Sequence, residues 1–154
     1  TTNGILLKSG EEIPADIIIT ATGLDVQMTG GMNLKVDNKS AAAKTRLTYK
    51  GVLVEGIPNA AMVFGYTNAS WTLKADLASE YVCRLINHMD EKGYRTVEVH
   101  DHDNLVTEDT VLGSLSSGYI QRAADSLPRQ GSKAPFRVVQ DYLRDVRGQA
   151  GART

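Results

Sequence analysis

The sequence predicts an α/β fold, and three stretches carry that prediction. Ala60-Ala61-Met62-Val63-Phe64 is a short apolar run of the kind a strand buried on both faces requires. Asp16-Ile17-Ile18-Ile19-Thr20-Ala21-Thr22-Gly23 sets three consecutive isoleucines between Asp16 and Gly23, which reads as a fully buried strand in a parallel sheet. The third is the longest helix, which follows both, from the turn after Phe64 to about Lys92.

That helix defines the most informative stretch, Gly65-Tyr66-Thr67-Asn68-Ala69-Ser70-Trp71-Thr72-Leu73-Lys74-Ala75-Asp76. Gly65 and the Thr67/Asn68 pair break the strand, and Asn68 or Ser70 can cap the helix with a side-chain oxygen. Trp71, Ala75, Ala78, Val82, Leu85 and Met89 recur at alternating spacings of four and three, and Leu73, Leu77, Tyr81 and Ile86 widen the stripe. The other face carries Asp76, Glu80, Arg84, Asp90 and Glu91, with Glu80 and Arg84 one turn apart. Gly93 suits a left-handed C-terminal residue. The helix start offers free N–H groups and partial positive charge where the strand ends, and open α/β sheets place negatively charged ligands there. An ordinary strand–turn–helix corner with no ligand has the same sequence pattern.

The remaining elements are shorter. Gly4 to Leu7 reads as a strand followed by a turn at 8–12, and Ile13-Pro14-Ala15 leads into the isoleucine strand. Residues 25–50 read as irregular, with Leu34-Lys35-Val36 and Leu47-Thr48-Tyr49 as short strands and Asp37-Asn38-Lys39-Ser40 as a turn. Val52-Leu53-Val54 is a further short strand, and Ile57-Pro58-Asn59 turns the chain toward Ala60. Alternation from Arg95 to His100 suggests an edge strand. Gly113 to Gly118 is a loop, Tyr119 to Leu127 a short helix ended by Pro128, and Gln130 to Pro135 a second loop. Phe136, Val139, Tyr142, Leu143 and Val146 fall at helical spacing, so a last helix is expected from Phe136 to Arg147.

The chain has 154 residues, enough for a real core, and a net charge of −1 with no basic stripe, which argues against a nucleic-acid partner. No apolar run approaches the roughly 20 residues of a membrane helix. The single cysteine, Cys83, excludes an internal disulfide and fits a reducing compartment, the cytoplasm; it reads as a packing residue of the long helix. The first residue is Thr1 and the pattern is structured by Gly4, so the chain is expected to be cut from something longer.

His100 and His102 stand two apart with Asp101 and Asp103 interleaved, and on a strand they would share a face and could chelate a metal with a third ligand; a solvated polar loop is the plainer reading. No metal site is assigned. Gly-x-Ser-x-Gly, Gly-x-x-x-x-Gly-Lys and Gly-x-Gly-x-x-Gly are all absent, so neither a hydrolase elbow nor a phosphate-cradling loop is present in the chain.

Asp16-Ile17-Ile18-Ile19-Thr20-Ala21-Thr22-Gly23-Leu24 resembles the Ala-Thr-Gly segment of class B flavoprotein monooxygenases. Gly56-Ile57-Pro58-Asn59 followed by Gly65 to Leu77 is similar to a later FAD-domain segment of the same enzymes, of the Baeyer–Villiger type and its ethionamide-activating subgroup. Gly118-Tyr119-Ile120, Leu127-Pro128-Arg129-Gln130-Gly131-Ser132 and Gln140-Asp141-Tyr142-Leu143-Arg144-Asp145 are similar to that subgroup's C-terminal part. The resemblance implies the C-terminal part of a flavoprotein with two dinucleotide-binding, Rossmann-like domains, here an incomplete sheet plus helices. Residues 1–24 would end the NADP domain and cross to the FAD domain, 25–93 would be the C-terminal part of the FAD domain, and 94–154 a C-terminal extension.

It implies FAD and NADPH as cofactors, and insertion of one oxygen atom from O2 beside a ketone or onto a sulfide. By the same resemblance Thr67, Asn68, Ala69, Ser70, Trp71 and Thr72 would face the flavin, and Ala21, Thr22 and Gly23 would lie at the domain crossing. No catalytic residue is assigned, because the family's peroxide-steadying arginine and both glycine-rich fingerprints would precede Thr1. The chain alone is therefore expected to bind FAD poorly, catalyse nothing and expose apolar surface around Ile17-Ile18-Ile19. The other readings are a complete, non-catalytic binding or scaffold domain of monooxygenase ancestry, and a small metal-dependent protein using His100 and His102.

Overall fold

The computed structural model describes residues 1–150 as an α/β chain of short antiparallel strand pairs and few helices. The first pair, β1 (Gly4–Leu6) with β2 (Glu12–Pro14), is the expected hairpin. The second, β3 (Lys35–Val36) with β4 (Lys39–Ser40), turns through Asp37 and Asn38 at φ 49° and 63°, the left-handed pair that a tight two-residue hairpin needs. The third joins β5 (Thr48–Tyr49) to β6 (Leu53–Val54). The long helix α1 (Trp71–Lys92) follows, ending at Gly93 with φ 69° as its sequence requires. Then come β7 (Val106–Thr110), α2 (Gly118–Arg122) continued by a 3-10 turn at Ala124–Ser126, β8 (Arg129–Gly131) and α3 (Tyr142–Ala150).

β8 is the joint of the C-terminal half. It pairs with β7, and just before β5 Leu47 makes an isolated parallel bridge to Arg129, with Arg129 N–H donating to Arg46 O at 2.8 Å. The expected loop at 130–135 therefore begins as a strand. Its residues are polar, but the Gln130 side chain supplies what an apolar pattern would have signalled: it donates to Thr110 O at 2.9 Å and accepts from Val138 N–H at 3.1 Å. Among the described residues the core falls into three clusters. Val52, Leu53, Ala78, Tyr81 and Val99 form the one under α1; Phe64, Val111, Leu112, Ile120 and Leu127 form the second; Ala41, Ala43, Val54 and Ile57 form the third.

Several expectations fail for one physical reason: an apolar run becomes a strand only where a neighbour offers it a ladder. Ile17, Ile18 and Ile19 are 81%, 49% and 87% exposed and belong to no strand. No parallel sheet forms around them. Ala60 to Tyr66 is extended but bridges only Leu53 to Ala61, and Phe64 and Tyr66 alone of its large side chains are fully buried. The segment at 95–100 is not an edge strand. It is held instead by Asn59, whose N–H donates to Val97 O at 3.0 Å and whose side chain accepts from Val97 N–H at 3.0 Å and donates to Arg95 O at 3.1 Å. A single asparagine thus stands in for a strand partner.

The helices shift similarly. α3 starts at Tyr142 rather than Phe136, because Phe136 is drawn edge-on against Tyr49 at 5.6 Å and Asp141 caps the helix by accepting from Arg144 N–H at 3.0 Å. α1 buries Lys74, Leu77, Ala78 and Tyr81, leaving Trp71, Leu73 and Ile86 substantially exposed. Cys83, on the opposite face, is exposed rather than packed. Glu80 and Arg84 pair at 3.6 Å in solvent, as expected.

The buried Lys74 is balanced by Asp145 of α3, the two side chains being 3% and 7% exposed. Tyr66 donates to the same Asp145 oxygen at 2.8 Å and stacks under the Lys74 ammonium at 5.5 Å. One carboxylate thereby ties the end of the extended segment, the first turn of α1 and α3. Asp145→Ala leaves a buried cation without its partner, and chemical denaturation should show a loss of about 3–5 kcal/mol; Lys74→Met combined with Asp145→Leu should restore most of it. Burial raises the phenols of Tyr66 and Tyr81, that of Tyr81 from 10.0 to about 12. The protonated phenols are favoured in the folded chain, so their contribution is whole below the unfolded value of 10.0; that of Tyr81 is lost as pH rises through about 12, and that of Tyr66 at still more alkaline pH. Ultraviolet tyrosinate titration should accordingly show late-ionising phenols, with unfolding at strongly alkaline pH.

Candidate functional site

The turn from Gly65 to Thr72 is built by close packing on one side and hydrogen bonds on the other. Gly65 is buried, and a Cβ there would stand 2.0 Å from Cδ2 of Trp71, so the indole lies directly on the glycine backbone. Trp71 keeps 49% of its surface exposed on the far side. Ser70 occupies the N-cap position of α1, but neither it nor Asn68 caps the helix. The Ser70 hydroxyl pairs with Thr72 Oγ1 at 2.8 Å, and the Asn68 amide donates to Gln140 O at 3.0 Å. The expected cap is therefore absent, because both candidate side chains are engaged elsewhere.

The consequence is chemical. The first-turn N–H groups of Trp71, Thr72 and Leu73 have no intrahelical acceptor, receive no side-chain cap and face no acidic residue in that turn. The partial positive charge of a 22-residue helix thus ends in an exposed, uncapped donor set. Such donors fit an acceptor-rich or anionic edge of a ligand and would repel a cationic one.

Four contacts fix this turn from the C-terminal part of the chain. Thr67 N–H donates to Gln140 Oε1 at 3.0 Å, and the Thr67 and Ser114 hydroxyls meet at 2.6 Å. Asn68 binds Gln140 O, and Tyr66 binds Asp145. Thr67 and Asn68 are thereby used to hold the turn, while Ala69, Ser70, Trp71 and Thr72 form its exposed face. Gln140 lies 73 positions from Thr67, and nothing in the local pattern assigns it to the turn; the only signal is that Gln140 to Asp145 is one of the stretches carrying the resemblance.

Ala21, Thr22 and Gly23 are exposed and belong to no strand. They lie beside α2, where Arg122 donates to Leu24 O at 3.4 Å, and among the described residues no hydrogen bond joins them to the turn at 67–72. His100 and His102 sit with ring centroids 5.9 Å apart on the rim of a groove of about 420 Å³ walled by Tyr49, Tyr81 and Phe136. His100 meets Glu98 at 3.6 Å, yet among the described residues no three ligating side chains are grouped to hold a metal. Asp101 caps the start of β7, accepting from Leu105 and Val106 N–H at 2.6 and 3.2 Å. No helix among the described residues is long and apolar enough to cross a membrane.

The known proteins similar to this chain carry the names of FAD-binding or FAD-containing monooxygenases. The "Probable FAD-binding monooxygenase AlmA" of an Acinetobacter species is 50% identical over 145 residues, covering 94% of this chain and 29% of its own length. The FAD-containing monooxygenase EthA of Mycobacterium tuberculosis is 52% identical over 147 residues, covering 96% of this chain and 30% of its own. EthA of Mycolicibacterium smegmatis is 49% identical over 147 residues, with the same shares. No family model and no solved structure matches the chain. Over nearly its whole length the chain is similar to these FAD-containing monooxygenases, and it spans about 30% of the length of the curated relatives it matches.

Gly65→Ala should drive the indole off the turn. Trp71 is the only tryptophan, so its fluorescence reads the change directly: a red-shifted, more quenchable emission is expected, and an unchanged spectrum would mean that the indole does not rest on Gly65.

Proposed function

We propose that this chain is the C-terminal part of an FAD- and NADPH-dependent monooxygenase that inserts one oxygen atom from O2 into ketones or onto sulfides, in the Baeyer–Villiger manner. The observation that carries the reading is the identity of about half to FAD-containing monooxygenases over 96% of the chain. In this reading residues 1–24 end an NADP-binding domain and cross to the FAD domain, 25–93 complete the FAD domain, and 94–154 are a C-terminal extension. The whole protein works in the cytoplasm. No observation favours a non-catalytic scaffold.

The uncapped start of α1 fits the flavin. Ala69, Ser70, Trp71 and Thr72 form the exposed face, and the first-turn N–H groups would meet the electron-accepting edge of the isoalloxazine. When bound, FAD supplies the redox chemistry, taking electrons from NADPH and delivering them to O2. The chain's own part is electrostatic. Fixed N–H donors at a helix start stabilise negative charge on whatever they face without reorganising. Trp71, propped on Gly65, presents an apolar ring beside those donors and limits water there.

The exposed isoleucines agree with a larger protein. Among the described residues, 16–23 make no backbone-to-backbone hydrogen bond and Ile17, Ile18 and Ile19 stay exposed, so an apolar segment of strand composition stands without a ladder partner. The rest of a two-domain flavoprotein would supply neighbours for it, and Ala21, Thr22 and Gly23 would then lie at the crossing between domains.

The test is expression of the coding sequence with its flanking regions, followed by identification of the bound flavin and of NADPH consumption coupled to O2. Retained FAD with substrate-dependent NADPH oxidation is expected; a full-length product without flavin removes the reading. Within that protein, Thr72→Glu places a carboxylate in the first turn of α1. Helix stability should rise by about 0.3–1 kcal/mol, while FAD retention should weaken by about tenfold or more through like-charge repulsion. Stability and flavin binding moving in opposite directions is the signature of a helix start facing an anionic edge.

A further inference from the structure

The turn proposed to face the flavin is held by residues of the C-terminal extension, and Gln140 is the central one. Its side-chain oxygen takes the Thr67 N–H at 3.0 Å, and its backbone carbonyl takes the Asn68 side-chain amide at 3.0 Å. Gln140 therefore grips two consecutive residues of a turn that otherwise has no ladder and no helix cap. The grip is anchored from behind. One residue on, Asp141 caps α3, and α3 carries Asp145, which is buried against Lys74 in the first turn of α1 and against Tyr66. On the other flank Ser114 meets the Thr67 hydroxyl at 2.6 Å.

We infer that Gln140 is a positioning residue for the flavin-facing turn: through Thr67 and Asn68 it sets where the first N–H groups of α1 stand, and so how firmly and in what electronic environment the flavin is held. This rests on the reading of the helix start as the flavin site. The geometry favours a side chain whose acceptor is essential and whose donor is not, because the two contacts made to the turn use Gln140 Oε1 and the Gln140 carbonyl. A glutamate keeps that acceptor, and a methionine of similar length removes it.

The experiment uses the full-length holoenzyme and compares Gln140→Met with Gln140→Glu. Three quantities are read: the FAD dissociation constant, the visible circular dichroism of the bound flavin, and hydrogen–deuterium exchange of the Thr67 amide. Losing the acceptor orphans the Thr67 N–H, so Gln140→Met should speed exchange at Thr67, change the flavin dichroism and weaken FAD by about tenfold. Gln140→Glu should restore the slow amide and the dichroism. A purely structural residue would lower the melting temperature without changing the dichroism of the flavin that remains bound.

Fast exchange at Thr67 in Gln140→Met with unaltered FAD affinity and dichroism would overturn the inference, because the turn would then be held by Gln140 without serving the flavin. Unaltered exchange would overturn it as well, at the level of the grip. A wild-type full-length protein that retains no FAD but shows a slow Thr67 amide, sped by Gln140→Met, would leave the grip standing and defeat the flavin role together with the proposed function. The amide and the flavin signals thus separate the two failures.

Discussion

One carboxylate organises the chain around the start of α1. Asp145 is nearly inaccessible and accepts both the Lys74 ammonium and the Tyr66 phenol. A buried charge without a partner is costly, so each of the three groups requires the others to be in place. The first turn of α1, the end of the extended segment before it and α3 are therefore fixed as a set. The price is a polar centre where an apolar one would have packed as well, and the gain is a defined direction for the start of α1.

The turn between Tyr66 and Trp71 inherits that direction. It contains no regular structure of its own, and the helix behind it has no side-chain cap. Its shape comes from Gln140 and Ser114 on one side and from the Trp71 indole lying on Gly65 on the other. A turn held at both flanks but left uncapped in the middle keeps its N–H groups available at fixed positions. That is the arrangement electrostatic stabilisation of a ligand's negative edge demands. The relatives this chain is similar to are named as FAD-binding or FAD-containing monooxygenases, which is why a flavin is the ligand proposed for this arrangement.

The rest of the chain shows two ways in which backbone can be satisfied without a sheet. Asn59 replaces a strand partner for 95–97 with three hydrogen bonds from one residue, and the Gln130 side chain knits β7, β8 and Val138 together. Both residues lie in stretches that carry the family resemblance, Gly56 to Asn59 and Leu127 to Ser132, so part of what makes those stretches recognisable is structural and not a matter of the cofactor. In contrast, Ile17 to Ile19 has the composition of a buried strand and nothing in the described residues to bury it.

Local chemistry was enough to determine the long helix, its stop at Gly93, a turn at Asp37 and Asn38 (though Lys39 and Ser40, expected in the same turn, form β4), and the break between Phe64 and Trp71, because each depends on neighbours within a few positions. The family, too, was legible, since the run from Gly65 to Asp76 is distinctive as text. Most of the face α1 buries was legible as well, since Leu77, Ala78 and Tyr81 of the expected stripe are buried with Val82 and Leu85 packed beside them; the buried Lys74 was not, being set by an aspartate 71 positions away, and Trp71 stays half exposed. Nor could the sequence say that Asn68 and Ser70 leave the helix uncapped, or that Gln140 holds Thr67. Those outcomes are competitions between local partners and distant ones, and only the folded chain brings the distant ones within hydrogen-bonding reach. The isoleucine run shows the same limit in reverse: composition fixes the preference for a strand, and a strand exists only where tertiary structure provides its neighbours.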